Sequence, residues 1–336
     1  MRNLWQLPLQ RLEIYCQPFQ RPGGYFKVSP HASCNGSDWI GMERHFAVIE
    51  ESIPFRLLSK SDYFSLLKQH FRGPSQAIDR HACTLIDYLN TRPNYFHWFL
   101  DALPRIFAAE SYKQLTGSDV SIVIPENLRP WQWDSLRYLG VQESQLIQVP
   151  AASPVRSWSF AQLVTTFSHR HIRRSATGHF DAFSPDSIQT LANRLLTGVD
   201  QIEGTAPATH RLYVSRGHAT LRRVQNEDEI IDFLCPYGFK RVCLDELPLH
   251  QQIKLFQGAT HVISAHGGAL TNLLYVSPGC QVLEIFQTGH GIRPDFFQLA
   301  ALRGADYSFY EATSLNKENE IVIPIGVLRT FLDSSL

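Results

Sequence analysis

The second half of the chain alternates short apolar runs with longer amphipathic ones, and the punctuation between them is regular. Residues 211–215, Arg-Leu-Tyr-Val-Ser, predict a strand. From Asn226 the period lengthens: Glu227, Asp228 and Glu229 fill a first turn, and Ile230, Ile231, Phe233 and Leu234 supply the apolar face of a helix. Acidic residues there meet the partial positive charge of a helix N-terminus, and Asn226 stands where a cap belongs. Gly238 closes that helix. Residues 240–244 then predict a strand, 248–257 a helix and 261–264 a third strand. A helix through Tyr275, a Pro278-Gly279 turn, a strand over 281–285, a helix over 295–303 and a strand over 307–310 complete the pattern. Strands alternating with helices of this length predict a doubly wound α/β domain with a parallel sheet, in which ligands bind at the carboxyl ends of the strands.

The first half is less regular. Residues 95–112 have a helical pattern interrupted by Pro104, strands are predicted at 121–124 and 146–149, and a helix at 131–139 lies between them. A second α/β domain follows from this, preceded by a mixed, β-rich lead-in before residue 75. The stretch 202–209, with Gly, Thr, Ala and Pro inside it, is the expected interdomain linker. No internal repeat or low-complexity segment breaks the chain.

Composition changes this picture in two ways. The 336 residues suffice for two cores, and the balance of 31 Lys+Arg against 31 Asp+Glu leaves no net field to draw the chain to nucleic acid. The basic residues are 24 arginines and 7 lysines. Arginine's planar fork grips phosphates at two points, although genomic base composition explains the same skew. The six cysteines show no CxxC pairing, which fits reduced thiols. Residues 1–12 lack the pattern of a signal peptide, and no apolar run of about 18 residues is present to span a membrane. A cytoplasmic protein is expected.

The strongest chemical signal is His261-Val-Ile-Ser-Ala-His-Gly-Gly-Ala-Leu-Thr-Asn272, an apolar strand running into two glycines and a helix. Gly267 and Gly268 permit a sharp turn and close backbone approach, and the helix start offers N–H groups and a positive dipole end to a diphosphate. An ordinary strand–turn–helix corner accounts for the same residues. Neither GxGxxG nor a P-loop is present. Glu284 lies in the apolar strand Val282-Leu-Glu-Ile-Phe286; a carboxylate there accepts both hydroxyls of a ribose, or is satisfied by neighbouring backbone or arginine. Arg216 closes the strand 211–215, and Arg222 and Arg223 follow in its loop, positions suited to phosphate; for Arg223 a solvated loop is the better reading. In the first half, His97 and Asp101 are four apart and share a helix face amid Tyr95, Phe96, Trp98 and Phe99. They suit a general base beside an aromatic, sugar-stacking wall, or a core His–Asp pair.

Taken together, Asn94-x-x-His97-x-x-x-Asp101, Tyr213-x-Ser215-Arg216 with Arg222 and Asn226-Glu227, His266-Gly-Gly-Ala-Leu-Thr-Asn272 and Glu284 resemble glycosyltransferase family 61. The resemblance runs from about Asp79 to Ala312, and its specificity lies in the order and spacing of several motifs. That family includes plant xylosyl- and arabinosyltransferases, animal N-acetylglucosaminyltransferases and bacterial capsule-synthesis proteins. The resemblance implies a GT-B-like α/β architecture, two Rossmann-like domains facing a central cleft, and an inverting transfer that needs no metal. It implies a UDP-sugar donor held by the C-terminal domain through Arg216, Arg222, His266, Gly267, Gly268, Ala269, Asn272 and Glu284. His97 and Asp101 would be catalytic, with Asn94 and Asn226 in support. The chain departs from a common form at Gly268-Ala269, where many relatives carry Ala then Gly.

The expected domains are then an acceptor-side domain over 1–203, a nucleotide-sugar-binding domain over 204–312, and a tail over 313–336 packing back on the body. No two Asp are separated by one residue anywhere, so the DxD clamp of metal-dependent transferases is missing and arginines must neutralise the leaving diphosphate. No metal or other cofactor is expected. The acceptor is expected to be a glycan or lipid-linked glycan in bacterial capsular or other surface polysaccharide synthesis. The basic stretch of His169, Arg170, His171, Arg173 and Arg174 reads as a solvated or membrane-facing loop, which allows peripheral contact with the inner membrane. A nucleotide- or glycan-binding protein without catalysis is the alternative reading, and a nicotinamide-dependent oxidoreductase is disfavoured by the missing GxGxxG.

Overall fold

The computed structural model describes residues 26–35, 41–42, 64, 67–68, 75–86, 94–150, 157–166, 170–175, 178–204, 209–217, 219, 221–288 and 292–335. Most of the lead-in, residues 205–208 of the expected linker, and His169 lie outside these. The chain divides into two compact units, Phe19–Leu191 and Ala192–Leu336. The division falls inside a continuous helix, Pro185–Glu203.

The first unit contains a mixed sheet built from β1 (Phe26–Pro30), β2 (Ser33–Asn35), β3 (Gly41–Met42), β4 (Ser75–Thr84), β5 (Ser121–Pro125), β6 (Leu146–Val149) and β7 (Ser157–Thr166). The strand order is β3-β2-β7-β4-β5-β6, with β1 also on β7. β7, β4, β5 and β6 are parallel, whereas β1 and β2 run antiparallel to β7. Ala82, Val123, Val149, Trp158, Phe160 and Leu163 form one buried cluster, with Ile124 and Val164 buried too; β5 reads as an apolar run because both of its faces are covered, whereas β4 is buried only at its carboxyl end. The helices α1 (Arg105–Thr116) and α2 (Pro130–Tyr138) follow the expected pattern. The expected basic loop is instead a hairpin of β8 (Arg170–Ser175) and β9 (Gly178–Phe183), whose antiparallel register runs from Arg170↔Phe183 to Ser175↔Gly178. The helix Pro185–Glu203 (α3) follows it.

The predicted helix over 95–112 is three pieces. A single α-turn at Tyr95–His97 runs into a π-turn at Trp98–Ala102, closed by Leu103 N donating to Trp98 O at 2.9 Å, before α1 begins after Pro104. Proline has no N–H to continue an α-helical ladder, and the wider turn absorbs that break.

The second unit is a five-stranded parallel sheet of β10 (His210–Val214), β11 (Phe239–Val242), β12 (Ala259–Ala265), β13 (Gln281–Gln287) and β14 (Asp306–Ala312), ordered β11-β10-β12-β13-β14. The helices α4 (Glu227–Leu234), α5 (Leu249–Gln257) and α6 (Asp295–Leu302) stand close to where periodicity places them. The segment after the glycine pair, Gly268–Tyr275, is a 3₁₀ helix and not an α-helix. Asn226 occupies the cap position of α4 without a capping bond; its side chain instead exchanges two hydrogen bonds with the backbone of Ile323, at 2.9 and 3.0 Å. The tail is thereby tied to α4, and its helix α7 (Ile325–Ser335) buries Val327, Leu328, Phe331 and Leu332 against Tyr213, Ile263, Leu283 and Ile285.

Among the described residues no helix is long and apolar enough to cross a membrane. Because Phe331 is 1% exposed in this shared cluster, Phe331→Ala should destabilise the protein by about 3–5 kcal/mol. Denaturant unfolding followed by circular dichroism measures this, and a midpoint equal to that of the wild type would show that α7 does not pack as described.

Candidate functional site

Strand order in the second unit decides where a ligand belongs. The chain moves from β10 outward to β11, returns past β10 to β12, and then continues to β13 and β14. The winding direction reverses between β10 and β12, so the carboxyl ends of these two strands frame the crevice that open α/β sheets use for ligands. Ser215 and Arg216 follow β10 directly, and His266 and Gly267 follow β12.

These two segments meet through Arg216. Its Nε donates to Arg222 O at 3.2 Å and its Nη2 to Leu221 O at 3.1 Å, which leaves Nη1 over the backbone of Gly267. A Cβ built on Gly267 would stand 1.9 Å from that nitrogen, so glycine is required there for space. Its φ of 166° is ordinary extended backbone. Gly268, by contrast, is exposed, and a Cβ there would meet nothing within 4 Å. Burial, and then the nearby charge of Arg222, push the Arg216 guanidinium down to about 10. Arg222 is also lowered, first by burial and next by repulsion from Arg293, against the attraction of Glu284. Among the described residues neither Arg216 nor Arg222 is in an ion pair. Three guanidinium groups thus gather at one sheet edge, and Asp245 and Glu284 attract Arg216 and Arg222 without forming an ion pair with either.

Arg293 had no motif to mark it. It precedes α6, on the connection that leaves the carboxyl end of β13, and only its electrostatic effect on Arg222 reveals its proximity. Glu227 also has a larger part than first-turn acidity. Its carboxylate accepts from Tyr213 Oη at 3.2 Å and Ser215 Oγ at 2.8 Å, and pairs with Arg241 at 2.5 Å. Ser215 Oγ in turn accepts from Gly217 N at 3.1 Å. The segment that presents Arg216 is therefore pinned on both sides.

Glu284 is fully buried, and both of its oxygens are engaged. Oε1 lies 2.5 Å from His266 Nδ1, and Oε2 accepts from Tyr307 Oη. The carboxylate thus orients His266 and Tyr307 through its two oxygens, and the expected contact with ribose hydroxyls would have to share them. Burial and the Glu284 charge hold the Tyr307 phenol well above its usual range, so it stays a donor. The His266 ring stacks on Phe286 at 5.0 Å and leans on Phe296 at 5.4 Å, with 12% of its side chain exposed. Asn272 is also turned inward. Its Nδ2 donates to Ala269 O at 3.0 Å and to Gln252 Oε1 at 3.3 Å, so it shapes the 3₁₀ turn beneath Gly268 and Ala269 instead of reaching the crevice.

In the first unit, the His97 segment is fastened to the carboxyl end of the central strand β4. Arg105 Nη1 donates to Thr84 O and Ile86 O at 3.3 and 3.5 Å, and its Nε donates to Asp101 O at 3.1 Å. Asn94 Oδ1 accepts from His97 N at 3.2 Å and caps the first turn. His97 Nδ1 lies 2.6 Å from Asp101 Oδ2, with side-chain exposures of 19% and 1%. The aspartate is thus the orienting partner, and the imidazole is the group that can meet solvent or substrate. Of the surrounding aromatics, Trp98 and Phe99 are buried and pack with Tyr95 on Trp131 while Trp98 Nε1 donates to Ser135 Oγ, whereas the half-buried Phe96 stands edge-on to the His97 ring at 5.3 Å. Among the described residues no group of three or more His, Cys, Asp or Glu is placed to hold a metal ion.

Comparison with known proteins identifies a family. The sequence profile of the family described as Glycosyltransferase 61 matches residues 95–283, more than half the chain. Protein O-linked-mannose beta-1,4-N-acetylglucosaminyltransferase 2 of Takifugu rubripes is 28% identical over 113 residues, which cover 32% of this chain and 19% of that protein. The EGF domain-specific O-linked N-acetylglucosamine transferase of Drosophila melanogaster is 31% identical over 107 residues, 31% of this chain and 20% of that protein. The matched stretches therefore span about a fifth of the length of these relatives.

Gly267→Ala tests the corner. The added methyl must push the Arg216 guanidinium away, so binding of inorganic pyrophosphate should weaken about tenfold, while the melting temperature changes little because only the far end of a flexible side chain moves. Titration calorimetry reads the first and differential scanning fluorimetry the second.

Proposed function

Because this chain belongs to glycosyltransferase family 61, we propose that it transfers a sugar from a UDP-sugar to a glycan hydroxyl with inversion at the anomeric carbon. The observation that carries this reading is the Arg216 guanidinium lying on Gly267 at the reversal point of the parallel sheet. A desolvated cation beside two further arginines matches the leaving diphosphate, whose charge grows as the glycosidic bond breaks. Arginines in this role make a metal unnecessary, and transfer should persist in EDTA. The two α/β units correspond, in this proposal, to the two domains of a GT-B enzyme.

His97 is assigned as the base. Attack requires loss of the acceptor hydroxyl's proton; the imidazole takes it, and the buried Asp101 carboxylate holds the ring in the right tautomer and stabilises the imidazolium that forms. His266, aligned by Glu284 and two phenylalanines, is assigned to the diphosphate oxygens. Both relatives carry N-acetylglucosamine in their names, so UDP-N-acetylglucosamine is the first donor to assay. Their names also point to protein-linked acceptors, O-linked mannose in one and EGF domains in the other. The surface-polysaccharide role suggested by sequence finds no support in these animal relatives, and a protein-linked glycan is the acceptor class proposed.

The test follows UDP release from a panel of UDP-sugars, with His97→Ala and Asp101→Asn beside the wild type. Each substitution should lower turnover about 100-fold or more and leave UDP affinity within about twofold. Turnover equal to the wild type in both variants removes the pair from the mechanism. UDP binding without turnover on any donor favours a non-catalytic nucleotide-binding protein.

A further inference from the structure

β13 ends at the crevice and carries two buried polar side chains near its carboxyl end, Glu284 and Gln287. Glu284 is fully satisfied. Gln287 is the contrary case: it is 1% exposed, and among the described residues neither its Oε1 nor its Nε2 has a hydrogen-bond partner. A buried amide with both polar atoms unpaired is destabilising, and an apolar side chain of the same length would avoid that cost. Such a group calls for a partner that the described residues do not supply.

Its place narrows what that partner is. β12 and β13 run parallel with Ala265 opposite Ile285, and His266 N donates to Ile285 O at 2.8 Å. Continuing this register by two residues sets Gln287 beside Gly267. Side-chain alternation along the strand puts Gln287 on the face of Leu283 and Ile285, opposite to Glu284. Gly267 follows Ile263 and Ala265 on the neighbouring strand in the same alternation, and there the Arg216 guanidinium covers it. Thr288 and Gly268, the next residues along the two strands, are both exposed, so Gln287 sits one residue below the open edge.

We propose that Gln287 is a donor-binding residue whose carboxamide hydrogen-bonds adjacent hydroxyls of one of the two sugars flanking the diphosphate. This rests on the reading of the site as a UDP-sugar site. The diphosphate itself is the wrong partner: its oxygens only accept, so they satisfy Nε2 and repel Oε1. A hydroxyl pair both donates and accepts, and it matches the amide at both atoms. The ribose and the transferred sugar each present such a pair next to the phosphates. With Glu284 engaged elsewhere, Gln287 takes over the hydroxyl-reading part expected of that carboxylate.

The experiment titrates the full chain and Gln287→Met with inorganic pyrophosphate, UDP and UDP-N-acetylglucosamine, and records the melting temperature of each protein. Methionine keeps the side chain's length and removes both polar atoms, so the variant should melt no lower than the wild type; Gln287→Leu serves if the methionine variant fails to fold. Pyrophosphate affinity should stay within about twofold, and UDP-N-acetylglucosamine affinity should fall about tenfold. An equal fall for UDP assigns the amide to the ribose, and a fall for the UDP-sugar alone assigns it to the transferred sugar; either result supports the proposal. Unchanged affinity for both nucleotides overturns it, since the amide is then served by internal water. A matching loss for pyrophosphate also overturns it, because the substitution has then disturbed the corner as a whole. A wild-type protein that binds none of the three overturns the UDP-sugar reading and the proposal together.

Discussion

A guanidinium group taken out of water without a carboxylate beside it is the constraint around which the second unit is arranged. Arg216 is held by two backbone carbonyls and has Gly267 beneath it, and burial already weakens its hold on a proton. Carbonyl dipoles satisfy its donors but do not cancel its charge, and Arg222 and Arg293 add repulsion. The mutual repulsion of these cations is a cost that an oligoanion at this edge would offset. Elsewhere the fold obeys ordinary packing rules. Here it departs from them, at the edge where the sheet's winding reverses and a ligand is expected.

The buried carboxylates share one manner of working. Glu227 secures the Ser215–Gly217 segment, Glu284 aligns His266, and Asp101 aligns His97. All three are buried and bonded within their own unit. Each limits the freedom of a neighbour that can touch a ligand. Such indirect placement suits a transfer reaction in which positioning and charge neutralisation supply most of the rate. It also explains why the residue types in the motifs are acidic while the surfaces they prepare are cationic or imidazole.

Much of this was legible in one dimension. The alternation of strands and helices from β10 to β14 follows from local periodicity, because the central strands β12 and β13 are buried on both faces and the helices on one. The His97–Asp101 pair follows from four-residue spacing across a single turn, and Arg216 and Gly267 follow from their places at strand ends. These are properties of neighbours along the chain, and composition and order suffice to set them. The tertiary structure decided the rest, because the rest depends on contacts between distant segments. The π-turn before Pro104 and the 3₁₀ turn after Gly267 depend on packing. So do the capture of Glu284 by His266 and Tyr307, the tie between Asn226 and Ile323, the approach of Arg293 to Arg222, and the unpaired amide of Gln287. A linear pattern records which groups are polar and where a strand ends. Whether a buried polar group finds a partner is settled only when segments far apart in sequence are brought within hydrogen-bonding distance, and that is what separates Glu284 from Gln287 on one strand.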